Sequence, residues 1–357
     1  MLYREFSDQE SIDQQYNPLS TASDAGDIIA GWEQKSALAR KVLKGHLGLR
    51  FGPTVSEFLD IFPSGDAKAP LHLFIHGGYW RRFTARDFSF VAPELVEAGI
   101  SVAVMNYALC PSVTVREIVR QTRSAIFWLK ENAAKYGSDA TRLSISGHSA
   151  GAHLLAMALS TDWPRDYGIP QECIGGACAI SGIFDLAPLP YSYLQPKLQL
   201  SGNDVQHLSP IQSIPNQAPD LTVMVGDEET DEFVRQSRDF LMTWKEKGLV
   251  GNWELIPGAH HFNILDGFED NTSRLFETVL NINNYNQVIS NEKIFTEQIN
   301  LEASSDTLYG YQEITNLIPF VKNRRIIFKI FKVNDNRLDW KLLNIDDSLF
   351  DKYRERD

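Results

Sequence analysis

Cysteine is scarce in this chain, since Cys110, Cys173 and Cys178 are the only three among 357 residues. Three cysteines at irregular spacing exclude a disulfide framework and fit no zinc site. We expect them to be reduced, buried thiols of a cytoplasmic protein. No run is apolar and long enough to span a bilayer. Residues 1–20 are polar and lack the apolar core of a signal peptide, so we expect no export signal.

Basic residues are fewer than acidic residues, and sequence motifs for cofactor binding are absent. The chain has 34 Lys and Arg against 46 Asp and Glu, a net charge of −12, which disfavours nucleic acid and anionic membranes as partners. No metal-ligand spacing, Gly-rich dinucleotide loop or phosphate-binding loop is present. We therefore expect a small-molecule substrate, no metal and no cofactor, with homodimer formation as a further option.

Strand-like and helix-like segments alternate through most of the chain. This alternation predicts an α/β fold with a mostly parallel central sheet and helices on both faces. The apolar runs predict strands over 55–62, 71–75, 101–107, 142–146, 174–180, 221–225 and 253–256. The helical spacing predicts helices over 27–44, 88–98, 114–136, 150–160, 231–247 and 273–280.

The last part of the chain has a different character. Residues 281–357 are rich in Asn and lack the alternation of strands and helices, although 324–333 could form an exposed strand. We predict one α/β domain over 1–282 and a C-terminal extension over 283–357. The extension would be a small appended module or a partly disordered segment, and we find no chemistry in it.

The stretch Gly147-His148-Ser149-Ala150-Gly151 lies between a predicted strand and a predicted helix. A G-x-S-x-G turn in this context is typical of a nucleophile elbow, in which the central Ser is exposed on a strained turn. The helix that follows would stabilise developing negative charge near its first residues. An ordinary Ser in a strand-to-helix turn is the alternative, and the flanking elements disfavour it.

A second motif, His76-Gly77-Gly78-Tyr79-Trp80, ends the predicted strand over 71–75. Acyl transfer requires N–H donors that point at the oxyanion of a tetrahedral intermediate. We predict that Gly77, Gly78 and Ala150 supply these donors. Tyr79 and Trp80 could form an aromatic wall for the substrate, or they could simply pack the loop.

A Ser nucleophile needs a base and an orienting acid, which follow it in the order Ser, acid, His in this fold class. The acid is expected just after the strand over 221–225, where Asp227, Glu229 and Asp231 are the candidates. The base is expected after the last strand, where His260 and His261 are adjacent.

Residues 16–280 resemble the kynurenine formamidase (arylformamidase) branch of the α/β-hydrolases. The matching motifs are His76-Gly77-Gly78-Tyr79-Trp80, Gly147-His148-Ser149-Ala150-Gly151-Ala152-His153, Glu232-Phe233-Val234-Arg235-Gln236-Ser237 and His261-Phe262. The resemblance implies Ser149 as nucleophile and His261 as base. The family usually has Asn where His260 stands, and it commonly has Asp where Glu229 stands. The resemblance therefore favours Glu229 as the acid, with Asp227 as its competitor.

Three further histidines have weaker claims to a role. His148, inside the elbow, could contact substrate or pack behind the site. His153 and His207 fit structural positions better, the first buried in a helix and the second on the surface.

The sequence thus predicts a serine hydrolase that cleaves a small acyl amide or ester. The resemblance implies an arylformamidase acting on N-formylkynurenine-like substrates. A carboxylesterase of broad range is the alternative, and a catalytically inactive binding protein is the third reading.

Overall fold

The computed structural model describes residues 1–283, 327–334 and 337–344. The chain divides into two compact units, Met1–Glu292 and Lys293–Asp357. The predicted α/β region, residues 1–282, falls wholly within the first unit. The boundary that we placed after residue 282 stays a prediction.

The first unit is built on an eight-stranded sheet in the order β1-β2-β4-β3-β5-β6-β7-β8. Strand β2 pairs antiparallel with both β1 and β4, and all the other pairs are parallel. The strands are β1 (His46–Arg50), β2 (Phe58–Phe62), β3 (Pro70–Ile75), β4 (Ser101–Met105), β5 (Asp139–His148), β6 (Gly176–Ile180), β7 (Leu221–Gly226) and β8 (Gly251–Ile256). The predicted α/β fold with a mostly parallel sheet is confirmed.

Helices cover both faces of this sheet. They are α1 (Gln9–Tyr16), α2 (Ala25–Val42), α3 (Pro93–Glu97), α4 (Val115–Asn132), α5 (Ala150–Leu159), α6 (Trp163–Tyr167), α7 (Gln195–Leu198), α8 (Gly202–Leu208), α9 (Asp231–Glu246) and α10 (274–283). None of the described helices is long and apolar enough to cross a membrane.

The hydrophobic core forms two clusters, one on each face of the sheet. Alternate residues of β3 show the division, because Leu73 and Ile75 belong to one cluster and Phe74 to the other. Helices α4, α5 and α9 pack on the first face, and α2, α3 and α10 pack on the second. Strands buried on both faces explain why the sequence shows continuous apolar runs instead of alternation.

Some elements differ from those expected. The predicted helix over 88–98 is a 3-10 turn at Ser89–Val91 followed by the short helix α3. Pro93 accounts for the break, because its ring is tolerated in a first helical turn but not inside a helix. The predicted strand over 55–62 begins only at Phe58. Helix α1 and edge strand β1 were not predicted, since both are largely exposed and carry few apolar residues.

In the second unit, β9 (Ile327–Asn334) and β10 (Arg337–Asn344) pair antiparallel. The strand predicted over 324–333 overlaps β9, and its first three residues lie outside the described residues. Strand β10 was not predicted.

Candidate active site

Ser149 lies on a sharp turn between β5 and α5. Its backbone has φ 56° and ψ −117°, a conformation that L-residues rarely adopt outside strained functional turns. Its N–H donates to the carbonyl oxygen of Ile180 at 2.8 Å, which anchors the turn to β6. A Cβ at Gly147 would lie 2.3 Å from the Gly151 carbonyl oxygen, and one at Gly151 would lie 2.0 Å from the Ile75 carbonyl oxygen. Both glycines are therefore required for the turn to form against β3.

The loop after β3 touches the Ser149 turn directly. A Cβ at Gly77 would lie 3.0 Å from Ser149 Cβ and 2.9 Å from the His148 carbonyl oxygen, so only glycine fits between them. Gly78 has φ +106°, which favours glycine as well. The backbone N–H groups of Gly77, Gly78 and Ala150 donate to no acceptor among the described residues. The three predicted oxyanion donors are thus unpaired beside Ser149, and Ala150 is the first residue of α5.

This loop is strained and firmly held. Tyr79 and Trp80 follow Gly78 with φ 51° and 56°, each at a cost of about 1–3 kcal/mol that the surroundings must offset. The Tyr107 hydroxyl donates to the carbonyl oxygen of His76 at 2.8 Å. The Tyr79 hydroxyl donates to the carbonyl oxygen of Tyr16 at 2.6 Å. The Tyr107 side chain and the Tyr16 carbonyl oxygen, from two other segments, therefore fix the position of the loop.

The acid and the base come from the loops after β7 and β8. His261 Nδ1 lies 2.7 Å from Glu229 Oε2. Because an ionised carboxylate only accepts, Nδ1 carries the proton and Nε2 keeps its lone pair. The other oxygen, Oε1, accepts from the Ser181 hydroxyl at 2.5 Å and from the Gly226 N–H at 3.1 Å. The Glu229 side chain has no exposed surface, so these contacts fix its orientation.

The two loops are in close contact next to this pair. A Cβ at Gly226 would lie 2.0 Å from the Ala259 carbonyl oxygen. Glycine at the end of β7 therefore lets the loop that carries His261 approach the loop that carries Glu229.

The structure places the competing candidates elsewhere. Asp227 is exposed, and its carboxylate accepts from the Gly258 N–H at 2.7 Å, which closes the loop. Asp231 is exposed at the start of α9. His260 Nε2 lies 2.9 Å from Asp24 Oδ1, at an angle that falls short of a hydrogen bond. None of these three contacts the Glu229–His261 pair through its side chain.

His148 packs against His261. Its Nε2 donates to the carbonyl oxygen of His261 at 2.8 Å, and the two rings lie 4.7 Å apart. Burial, followed by the neighbouring His261, holds the pKa of His148 well below its usual range. His148 is therefore neutral, and its contact fixes the backbone of the residue that carries the base.

Ser149, His148 and His261 line a cavity of about 820 Å³. Five lining residues come from the carboxyl edge of the sheet, and we call them the strand-end wall: Gly77, Gly78, His148, Ser149 and His261. Another set comes from α1 and the segment after it, and we call it the N-terminal wall: Gln9, Glu10, Asp13, Gln14, Asn17, Pro18, Leu19 and Ser20. The volume is within the range of about 300–1,000 Å³ that is typical of small-molecule sites.

The aromatic pair after Gly78 is divided between the cavity and the core. Tyr79 lines the cavity, as predicted. Trp80 does not line it, so the predicted contact with substrate is wrong for this residue. Trp80 is fully buried and packs edge-on against His153, with ring centroids 4.8 Å apart. Its left-handed backbone turns the side chain into the core, which the sequence could not reveal.

Several site residues were not anticipated from the sequence. Ser181 holds Glu229, and its position just after β6, at the same sheet edge as the elbow, was an available signal. Arg81, Arg82 and Tyr193 line the cavity from loops. Helix α1 carries no motif that would have placed it here.

The described residues contain no evident metal site and no evident reactive cysteine. All three cysteines are buried free thiols, and burial raises the pKa of Cys110 to about 11. Among the residues that the structure describes, no group of three or more His, Cys, Asp and Glu could hold a metal ion.

Comparison with known proteins yields both a family and relatives. The BD-FAE family matches residues 59–243. Kynurenine formamidase of Salmo salar is 29% identical over 286 residues, which cover 76% of this chain and 95% of that protein. Esterase LipQ of Mycobacterium tuberculosis is 28% identical over 59% of this chain and 55% of its own length. A Silicibacter crystal structure, provisionally described as a thioesterase, is 27% identical, with a TM-score of 0.67 over 75% of this chain and 98% of that chain.

The family match covers more than half of this chain and includes the oxyanion loop, the elbow and the acid loop. The similarity to the Salmo salar protein extends over three quarters of the chain. The chain therefore belongs to the BD-FAE family and is a kynurenine formamidase-like serine hydrolase of the α/β-hydrolase fold.

Proposed function

We propose that this protein is an arylformamidase that hydrolyses N-formylkynurenine-like substrates with Ser149, His261 and Glu229 as its triad. The observation that carries the chemistry is the buried 2.7 Å contact between His261 Nδ1 and Glu229 Oε2, with His261 and Ser149 lining one cavity. The similarity to a kynurenine formamidase along 95% of that protein supports the choice of substrate.

In the first half of the proposed reaction, His261 Nε2 takes the proton of the Ser149 hydroxyl as Oγ attacks the formyl carbon. The carbonyl electron pair moves onto oxygen, and the N–H groups of Gly77, Gly78 and Ala150 stabilise that negative charge. Glu229 holds the ring of His261 and stabilises the imidazolium that forms.

In the second half, the imidazolium donates its proton to the amine nitrogen, and the C–N bond breaks. Water, deprotonated by His261, attacks the formyl ester on Ser149. As the C–O bond to Ser149 breaks, the His261 imidazolium returns that proton to Ser149 Oγ, and formic acid leaves and ionises to formate. Throughout, the contact of His148 with the backbone of His261 keeps the base in place.

A carboxylesterase is the second candidate, and the similarity to esterase LipQ favours it. The same side chains would cleave an ester, whose leaving group needs less help from a proton than an amine does. The buried, oriented Glu229–His261 pair argues against an inactive binding protein.

The deciding experiment compares kcat/KM for N-formylkynurenine with kcat/KM for p-nitrophenyl acetate and butyrate. We expect efficient formamide cleavage together with some ester cleavage. Ready ester cleavage with no detectable formamide cleavage would establish the carboxylesterase instead.

A further inference from the structure

The cavity contains opposite charges that do not neutralise one another. Arg81 and Arg82 line it, and so do Glu10 and Asp13. None of these four side chains forms an ion pair with another residue in the part of the chain that the structure describes. A cavity with separate, unpaired positive and negative groups suits a ligand that carries both charges.

Arg81 is the cation that is built into the site. Its backbone N–H donates to the carbonyl oxygen of Gly78 at 3.0 Å, so a tight turn fixes it beside the oxyanion loop. Its guanidinium carbon lies 5.7 Å from the ring centre of Tyr193. Its Nε is buried and has no acceptor among the described residues. Because Arg81 lines the cavity, its guanidinium Nη groups are the donors available to a ligand carboxylate, and charge-assisted hydrogen bonds of this kind are strong.

Asp13 is the matching anion on the N-terminal wall. The backbone N–H of Tyr193 donates to its Oδ1 at 2.6 Å, and Gln9 Nε2 donates to its Oδ2 at 3.2 Å. These two contacts orient the carboxylate without removing its charge. Arg81 and Asp13 both contact Tyr193, so one residue brings the two opposite charges into the same part of the cavity lining.

We propose that Arg81 binds the α-carboxylate, and Asp13 the α-ammonium group, of an aryl formamide that bears an amino-acid side chain. The proposal rests on the arylformamidase function above and identifies the part of the cavity that selects such substrates. Arg81 and Asp13 are specificity-determining residues, and they take no part in the proton transfers.

The test measures kcat/KM for N-formylkynurenine and for formanilide, an uncharged aryl formamide, in wild type, Arg81→Gln and Arg165→Gln. A hydrogen bond to a charged group is worth about 1.5–3 kcal/mol, so Arg81→Gln should lower kcat/KM for N-formylkynurenine by about 10- to 100-fold. The same change should alter formanilide cleavage less than about threefold. Arg165→Gln removes an equal charge from an exposed residue of α6 outside the cavity lining and should have little effect on either substrate.

Two kinetic results would overturn the subsite. An equal loss on both substrates would show that Arg81 only supports the oxyanion loop. An equal loss in Arg81→Gln and Arg165→Gln would show a general effect of net charge.

Binding of kynurenine, which has no formyl group, separates the subsite from the reaction. In calorimetry with the full chain, we expect Arg81→Gln and Asp13→Asn each to weaken kynurenine binding by about tenfold or more. For the decarboxylated amine, only Asp13→Asn should weaken binding. Kynurenine binding without formamide cleavage would reject the arylformamidase and retain the subsite. Formamide cleavage without kynurenine binding at millimolar concentration would reject the subsite and retain the arylformamidase.

Discussion

The two walls of the cavity are built in opposite ways. Residues of the strand-end wall follow directly from buried parallel strands, and close backbone contacts at glycine fix their positions. The N-terminal wall consists of a short polar helix and the segment after it, with only Ile12 and Tyr16 of α1 buried. The first wall carries the proposed chemistry, and the second has no group that reacts. From this difference we propose that the N-terminal wall, together with Arg81 from the loop after β3, acts on substrate binding, whereas the strand-end wall carries out the reaction.

Tyr16 joins the N-terminal wall to the rest of the molecule. Its hydroxyl donates to Glu232 Oε2 at 2.5 Å and accepts from Gln236 Nε2 at 2.7 Å, both on α9. Its carbonyl oxygen accepts from the Tyr79 hydroxyl. Tyr16 therefore holds the N-terminal wall to α9 through its side chain and to the loop after β3 through its carbonyl oxygen, and changes there should alter substrate binding more than chemistry.

The largest effect is expected at the centre of the strand-end wall. Ser149→Ala removes the nucleophile and should lower kcat by about 10⁴-fold or more for every substrate. It should also abolish covalent labelling by a fluorophosphonate, measured by intact-protein mass. Ser160→Ala, at the other end of α5, is the matched control and should be labelled like wild type. Labelling of Ser149→Ala at a wild-type rate would remove Ser149 from the mechanism.

Glu229→Gln should have the next largest effect. The amide keeps the shape of the side chain but no longer stabilises the imidazolium, so kcat should fall by about 10²- to 10⁴-fold. Asp227→Asn is the control, because Asp227 only closes the loop through Gly258, and kcat should then change a few-fold at most. Thermal unfolding should show that both variants are folded. The opposite ranking of the two variants would make Asp227 the acid.

Tyr16→Phe tests whether the N-terminal wall acts on substrate binding. Loss of the hydroxyl removes one buried hydrogen bond from Glu232, which keeps Arg235, and one from Gln236, which keeps the Asp185 carbonyl oxygen, at a cost of about 1–3 kcal/mol in the free energy of unfolding. We expect KM for N-formylkynurenine to rise about three- to tenfold with kcat nearly unchanged. Tyr191→Phe alters an exposed tyrosine and should change neither constant. A fall in kcat of the same size for p-nitrophenyl acetate would contradict the separation of the two walls.

Acid should lower the free energy of unfolding of the first unit because this unit contains buried, neutral histidines. Burial lowers the pKa of His72 to about 3 and the pKa values of His76 and His153 to about 4. The unfolded chain binds protons at these rings near pH 6.5, whereas the folded protein does not. Stability is therefore complete above about pH 6.5 and declines as the pH falls towards 4, by about 1.4 kcal/mol per pH unit for each histidine.

Urea unfolding at pH 7, 6 and 5 measures this decline. His153→Gln should make the fall in the free energy of unfolding with pH less steep by the contribution of one histidine. His207→Gln changes an exposed residue and should leave this pH dependence unchanged. A slope that both variants leave intact would show that other groups cause the loss of stability in acid.

The sequence predicted most of the strand-end wall because its residues belong to short motifs next to apolar strands. The motifs predicted the positions of Gly77, Gly78 and Ser149. The resemblance selected Glu229 and His261 from two loops that each contain several candidate residues. The structure brings that pair into contact. The sheet was predictable for the same reason, since strands buried on both faces appear as apolar runs.

What escaped prediction depends on distant contacts. Asp13 reaches the site from a polar segment with no motif to mark it. Ser181 and Arg81 directly follow a predicted strand and a motif, but local spacing does not show that their side chains enter the site. Helix α1 is mostly polar, and its place is set by Tyr16 meeting residues more than 200 positions away. Trp80 shows a related limit, because its position in the motif did not reveal which way its side chain would point.

The contact between Gly226 and Ala259 has a consequence for recombination between relatives. The loop with the acid and the loop with the base are far enough apart in the chain to be exchanged separately in a chimaera. However, a larger residue at position 226 would meet the backbone at Ala259. Library crossovers between residues 226 and 259 should therefore yield mostly inactive hybrids where the parent that supplies position 226 has a larger residue there than glycine.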